Sequence, residues 1–325
     1  MDWKPWHLFI KPSTLEFTRE ARHLRDFSLW DWLHGYIYGR WSYLYIGAGL
    51  GSNSLGKILT QLIRWATPLL PKSGPNDPPP LTMADTYHGK VVPLAQARQL
   101  VSIQEEIRLE NLEQVVPYPK ARDIILQNPD HIVVLECPCR AARPNPCLPL
   151  DVCLVVGEPF ASFIIEHQPR RSRWITPNEA IEILKAEDAR GHAHHAFFKD
   201  AMLGRFYAIC NCCSCCCGAI QSHRNGNPML ASSGYIAQVN EALCFGCGTC
   251  VDNCQFNALG LAADMVAQVD GVYCMGCGVC LDKCPNDAIS LQRAPEKGVP
   301  LEIDALMEQA VSGTSHNLSE SLPPA

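Results

Sequence analysis

The chain runs to 325 residues, 47% of them hydrophobic, with a formal net charge of −6 and eighteen cysteines. That is enough for two or three domains with real cores, and the scattered Lys and Arg residues leave no basic stripe for nucleic acid. No stretch reaches the ~18 uninterrupted apolar residues of a membrane-spanning helix.

The opening "MDWKPWHLFIKPS" has no basic start, apolar run or cleavage site, so the protein reads as cytoplasmic rather than secreted. In a reducing compartment, cysteines at this density serve metal or redox chemistry rather than disulfides. Residues 1–81 read as an aromatic-rich, mainly helical docking region closed by a proline-rich linker at 68–81. They hold six of the seven tryptophans, the stretch "LWDWLHGYIYGRWSYLYIGAGL" (29–50) and an amphipathic helix at 55–63. Such a helix packs on its own domain, on a partner subunit, or on the cytoplasmic face of a membrane, and its few basic residues favour packing. "GAGLGS" (47–52) follows no clear strand and has no later acidic partner, which argues against a dinucleotide turn.

Residues 82–234 read as a small α/β domain. Charged and apolar residues interleave from 92 to about 127, which predicts helix. "HIVVLECPC" (131–139) and "VCLVVG" (152–157) predict buried strands, joined by a proline-rich loop that carries Cys147. "TPNEAIEILKAEDARG" (176–191) predicts a helix with Thr176 as N-cap, Pro177 in the first position, Glu179 completing a capping box and Gly191 at its end. His192, His194 and His195 follow in "GHAHHAFF", where surface or capping roles outweigh metal ligation. "RFYAIC" (205–210) predicts a strand that delivers the chain into "CNCCSCCC". Glu136 and Arg140 flank the first cysteines, either as a surface ion pair or as charges tuning a metal site. Residues 293–325 read as a mostly disordered tail, polar and proline-ended from about Gln309.

The strongest signal is a repeat at a 30-residue offset. "IAQVNEALCFGCGTCVDNCQFNALGL" (236–261) aligns without gaps to "VAQVDGVYCMGCGVCLDKCPNDAISL" (266–291), each carrying Cys-x2-Cys-x2-Cys-x3-Cys. Three thiolates at that spacing wrap one face of a 4Fe–4S cube, and Gly246, Gly248, Gly276 and Gly278 let the loops curl. Zinc sites usually arrive as separated Cys-x2-Cys pairs instead. Residues 235–292 therefore resemble a bacterial-type ferredoxin domain holding two 4Fe–4S clusters. The resemblance implies that Cys244, Cys247, Cys250 and Cys284 hold cluster one, and that Cys274, Cys277, Cys280 and Cys254 hold cluster two. One departure stands out: Pro285 follows Cys284, but Gln255 follows Cys254.

Ten cysteines remain, in two patches: Cys137, Cys139, Cys147 and Cys153, then Cys210, Cys212, Cys213, Cys215, Cys216 and Cys217. They suffice for one or two further iron–sulfur clusters, or for one cluster and a redox dithiol. Adjacent cysteines such as Cys212–Cys213 or Cys215–Cys216 point apart in an extended chain and so serve different irons or clusters. The layout of residues 120–292 resembles uncharacterised 4Fe–4S-binding proteins of anaerobic bacteria, which implies electron transfer. The expected fold is α+β: a helical N-terminal region, an α/β cysteine-rich domain and a ferredoxin-like domain of β-α-β repeats. The expected role is an electron carrier, or a subunit of a larger redox complex, with redox proteins as partners. Two alternatives stay open, an oxidoreductase whose Cys137–Cys217 site is catalytic and a metal- or sulfur-handling protein.

Overall fold

The structure, a computed structural model, describes residues 11–24, 28–52, 87–118 and 123–310. The helix expected at 55–63, the linker at 68–81 and the tail beyond 310 lie outside the described residues. The aromatic N-terminal stretch forms three helices, α1 (Pro12–Arg22), α2 (Leu29–Arg40) and α3 (Ser42–Gly49). Ser28 caps α2 by accepting from the Trp30 N–H.

The middle region follows as β1 (Tyr87–Val92), α4 (Leu94–Val101), β2 (Ile107–Leu109), β3 (Ile124–Glu136), α5 (Pro138–Ala141) and β4 (Asp151–Glu158). Then come α6 (Phe160–His167), β5 (Ser172–Ile175), α7 (Pro177–Ala189), β6 (Ala193–Lys199), β7 (Arg205–Cys212), α8 (Gly218–Arg224) and β8 (Leu230–Ala231). The strands form one sheet in the order β2-β3-β4-β7-β6-β1-β8, with β5 also beside β3. Every named strand pair except β1–β8 is antiparallel. The molecule thus mixes α and β, but its sheet is not the parallel kind that strict α/β alternation builds.

The helix expected over 92–127 is confined to α4. Beyond it, Ile107 and Leu109 are buried with Arg108 exposed between them, a two-residue period that pairs Ile107 with Leu126 as strand. β3 begins earlier than expected because the chain passes "NPD" through a register shift between Gln127 and Ile132, with Asn128 at φ 45°. A proline is tolerated inside a strand at such an irregularity. The helix at 177–189 is capped as its sequence demands, the Glu179 N–H donating to Thr176 Oγ1 at 3.2 Å, while the Glu179 carboxylate turns to Arg173 instead of closing the capping box. The stretch after it corrects an expectation: His192, His194 and His195 are buried rather than at the surface, the last two inside β6.

Both faces of the sheet are buried, and alternation sorts them. Ile132, Val134, Leu154, Val156 and Ile209 pack on one side with residues of α4 and α7. Val133, Leu135, Val155 and Ala208 pack on the other, with Phe17 of α1, Tyr38 of α2 and Phe160 and Phe163 of α6. The same period places Cys153, Cys210 and Cys212 on that second face.

Lys90 is buried in β1 and donates to the Val299 carbonyl at 2.8 Å. Burial lowers its pKa from 10.5 to about 7. Between those values the unfolded chain holds a proton that the folded chain lacks, so this residue makes stability rise with pH across the window. Replacing it by Lys90→Met should remove a slope approaching roughly 1.4 kcal/mol per pH unit. Denaturant unfolding of both proteins at pH 7.5 and 9.5 checks this, and parallel profiles would refute it.

The C-terminal repeat folds as β9 (Tyr235–Val239), α9 (Thr249–Asp252), β10 (Leu259–Leu261), β11 (Ala267–Val269), α10 (Val279–Asp282) and β12 (Ile289–Arg293). β9 pairs with β12 and β10 with β11, both antiparallel, so the two halves of the repeat interlock. Gly248 and Gly278, at φ 77° and 90°, start the short helices α9 and α10 from the left-handed region.

Candidate metal centres

In the C-terminal repeat the thiols gather crosswise. One cavity is lined by Cys244, Cys247, Cys250 and Cys284 together with apolar residues. A second is lined by Cys254, Cys274, Cys277 and Cys280. Each takes three cysteines from one half of the repeat and the fourth from the other. Backbone N–H groups point at the sulfurs: Ala267 donates to Cys244 at 3.4 Å, Ala288 to Cys284 at 3.2 Å, Ala258 to Cys254 at 3.2 Å and Ala237 to Cys274 at 3.5 Å. Thiolate donors, an apolar wall and N–H groups aimed at sulfur are what a 4Fe–4S cluster requires of a protein, so these residues fit that group.

The two cavities differ in exposure. Cys247 and Phe245 lie at the surface beside the first. Around the second, Phe256, Met275 and Val279 are buried in the same apolar cluster as the thiol-bearing face of the main sheet. Burial pushes the Cys277 thiol up to about 12, so its deprotonation depends on a bound cation.

Gln255, where the repeat departs from proline, docks this region onto the rest. Its side chain accepts from the Ser214 N–H and donates to the Gly191 carbonyl, each at 2.7 Å. Its own carbonyl accepts from Arg224. A proline there would lack the amide that makes both side-chain bonds, which gives the departure a physical reason.

The ten remaining cysteines divide into two groups, and only the larger, of six, packs with the core on the second face of the sheet. Cys147, Cys213, Cys215 and Cys216 form the first, with all four sulfurs within 4.8 Å of one another. Cys147 and Cys215 are 3.0 Å apart, Cys147 and Cys213 3.6 Å. Arg143 fastens this loop by donating to the Cys216 carbonyl at 3.1 Å, and Gln221 by donating to the Ser214 and Cys215 carbonyls. Four thiolates converging at this spacing suit a tetrahedral metal or an iron–sulfur cluster.

The other six line one cavity together, and each lies near enough to two others to shift its titration, which links them in a closed sequence. Cys137 meets Cys139, Cys139 meets Cys217, Cys217 meets Cys212, Cys212 meets Cys210, Cys210 meets Cys153, and Cys153 returns to Cys137. Strand register explains half of it: Leu154 lies opposite Ile209, so Cys153 and Cys210 are cross-strand neighbours. Within the ring, contacts with Cys153 and then Cys212 lower the Cys210 thiol to about 6. Contacts with Cys139 and Cys212 likewise hold Cys217 well below the ordinary thiol range. The neighbouring Cys212 is pushed up by its contacts with Cys210 and Cys217. The dipeptides Cys212–Cys213 and Cys216–Cys217 each give one thiol to either group, the first at the end of β7 and the second where the chain leaves a turn, whereas Cys215 and Cys216 do not split as expected: within that turn they share the four-thiol group.

Arg140 corrects another expectation. It is fully buried, not a surface partner of Glu136, and its guanidinium pairs with Glu187 and donates to the Pro149 carbonyl at 2.6 Å. Burial would lower its pKa, but the Glu187 carboxylate outweighs this and raises it. Glu187 also binds His192 Nδ1 at 2.7 Å and Arg190 at 3.0 Å. Glu136 instead faces Arg171. His195 is held neutral, its pKa lowered to about 3 by burial and then by His194 and His223.

A cavity of about 210 Å³ lies over the six-thiol ring, far more than the roughly 10–15 Å³ one water needs. Its roof is α2 and α3, which supply Tyr38, Ser42, Tyr45 and Leu50. Tyr38 and Tyr207 share a 2.7 Å hydrogen bond between hydroxyls, and the Lys199 ammonium sits 4.9 Å over the Tyr38 ring and 4.8 Å over that of Tyr87. Motif spacing singled out neither the tyrosines nor Lys199. The single clue was aromatic density in 29–50.

Residues 237–291 match the family of 4Fe-4S dicluster domains. That stretch is therefore a 4Fe-4S dicluster domain, and the chain that carries it is an iron–sulfur protein. No curated protein and no solved structure matches the chain. Among the described residues, no helix is long and apolar enough to cross a membrane.

Proposed function

We propose that the protein transfers single electrons between a redox partner and the cysteine-rich sheet, through two 4Fe–4S clusters held by Cys244, Cys247, Cys250 and Cys284 and by Cys254, Cys274, Cys277 and Cys280. The observation that carries this reading is the unequal placement of the two cavities, one opening beside exposed Phe245 and Cys247, the other buried toward the sheet. Bound clusters supply a one-electron couple at each site. The chain's own residues do the rest. Phe245 and Leu243 offer an apolar surface at which a partner excludes water. Phe256, Met275 and Val279 keep the inner site dry, and the N–H groups of Ala237 and Ala258 stabilise sulfur charge there. Gln255 holds the inner site against the cysteine loop. The four-thiol group Cys147, Cys213, Cys215 and Cys216 is an additional cysteine-ligated centre on the receiving side.

A second reading, an oxidoreductase reacting at the sheet, draws on the cavity over the thiols. Both readings require iron in the C-terminal repeat. Protein purified without oxygen should contain at least about eight irons and eight acid-labile sulfides per chain. The double substitution Cys277→Ser and Cys280→Ser should remove about four of each. Unchanged iron in that variant would defeat the proposal.

A further inference from the structure

The Cys137–Cys217 region holds more thiols than one metal centre of the usual kind employs, and they are not distributed evenly. We propose that the ring of Cys137, Cys139, Cys153, Cys210, Cys212 and Cys217 is a cofactor site in its own right, separate from the four-thiol group, and that it takes a polynuclear iron–sulfur cluster. The inference rests on the electron-transfer reading above, because the chain must already be one that receives iron and sulfide.

Three observations converge. A tetrahedral ion uses four thiolates, and the four-thiol group already offers such a set. Six thiols closed into a ring exceed what one such ion can accept, whereas several irons bridged by sulfide give each thiolate an iron of its own. The ring is also built by the fold: Cys153, Cys210 and Cys212 project from neighbouring strands, Cys137 and Cys139 flank the start of α5, and Cys217 caps α8. Six thiols turned inward from four chain segments form a socket, not a chance cluster on one loop.

Second, the ring adjoins empty space. The cavity of about 210 Å³ is lined by all six of these thiols and also by Cys213 and Cys216, where the two groups adjoin, and a cluster needs that room for its iron and bridging sulfide. Disulfides would need none, and all eighteen cysteines are free.

Third, positive charge is placed where an anionic cluster would need it. The buried Arg140 guanidinium follows Cys139 directly and donates to the Asn211 carbonyl between Cys210 and Cys212 at 3.2 Å. Lys199 also lines the cavity. A buried cation is retained only where negative charge offsets its desolvation. Glu187 supplies one such charge for Arg140, and ring thiolates would supply more.

The two sites would meet at the peptides joining Cys212 to Cys213 and Cys216 to Cys217. An electron arriving at the four-thiol centre would then be one residue from the ring, and the ring, roofed by α2 and α3, would be the end of the path.

The test is metal and sulfide content of the full chain, purified without oxygen, for wild type and three double variants. Cys147→Ser with Cys215→Ser empties the four-thiol group at residues near the surface, where the fold is least disturbed. That variant should keep iron and sulfide above about eight per chain, the excess belonging to the ring. Cys210→Ser with Cys217→Ser should lose the ring's iron and sulfide while retaining at least about eight irons, whose presence also reports that the chain has folded. Iron of only about eight in the first variant overturns the proposal, even should the ring variant fail to fold. So does zinc or copper, rather than iron with sulfide, leaving with the ring thiols. If Cys277→Ser with Cys280→Ser loses no iron, the electron-transfer reading fails instead, which separates the two failures.

Discussion

Replacing Glu187 by glutamine should destabilise the protein by about 3–5 kcal/mol, because it leaves the Arg140 guanidinium buried without its counter-charge. At this chain size that corresponds to a fall in Tm of about 10 °C. The substitution keeps the shape of the side chain, so the loss measures charge and not packing. Burial alone would raise the Glu187 carboxyl, but hydrogen bonds from His192 and the charge of Arg140 hold it below the ordinary carboxylate range. Its contribution is therefore complete above the unfolded carboxylate pKa and is lost as pH falls through the lower folded value. The variant should lack that acid-side loss. Removing both charges, Arg140→Met with Glu187→Leu, should cost less than Glu187→Gln alone, since an unpaired buried charge costs more than none. Thermal unfolding of the three proteins at pH 7 decides the matter, and a Glu187→Gln variant as stable as wild type would show that the pair holds nothing.

The second large effect concerns two glycines that look equivalent. Gly248 and Gly276 both have positive φ, 77° and 62°, and both lie in cysteine loops. Alanine at either incurs about 1–2 kcal/mol for the left-handed backbone. At Gly248 the added methyl meets nothing nearer than Leu261 Cδ1 at 3.8 Å. At Gly276 it would fall on the Tyr235 carbonyl oxygen and Ser233 Oγ, well inside van der Waals contact. Backbone cannot swing aside as a flexible side chain can, so the Cys274–Cys280 loop must shift. Gly276→Ala should therefore lose about four irons per chain, and Gly248→Ala should retain them. Equal iron in the two variants would refute the steric argument.

What the sequence disclosed depended on how local the signal was. The cysteine repeat, the capped helix at 177–189 and the strands around Val133 and Val155 are written in short-range spacing, and they stand in the structure. The helix expected over 92–127 failed because β2 is three residues long and owes its existence to pairing with β3, which no local period records. The histidines of β6 read as surface or capping residues because they follow a helix end, but burial there is decided by β1 and β7 on either side. The thiol ring lay half in view. The i, i+2 spacing of Cys210 and Cys212 assigns them to one face, but that Cys153 sits across from Cys210 depends on a register only the folded sheet sets. Gln255 was visible as an exception, and its partners on Ser214 and Gly191 were not.

The roof over the thiol ring also bears on timing. Tyr38, Tyr45 and Leu50 are translated long before Cys137 or Cys217, so the cover of this cavity exists before the vessel it covers. A cofactor of many atoms would enter the cavity more readily before Tyr38, Tyr45 and Leu50 line it. A filled ring would then imply an order of maturation in which the sheet forms, the cofactor is built or delivered, and the N-terminal helices settle last although they were made first. Whatever machinery supplies iron and sulfide would then act on a chain whose helices α1 to α3 have not yet docked, and closing that cover would mark the moment at which delivery ends.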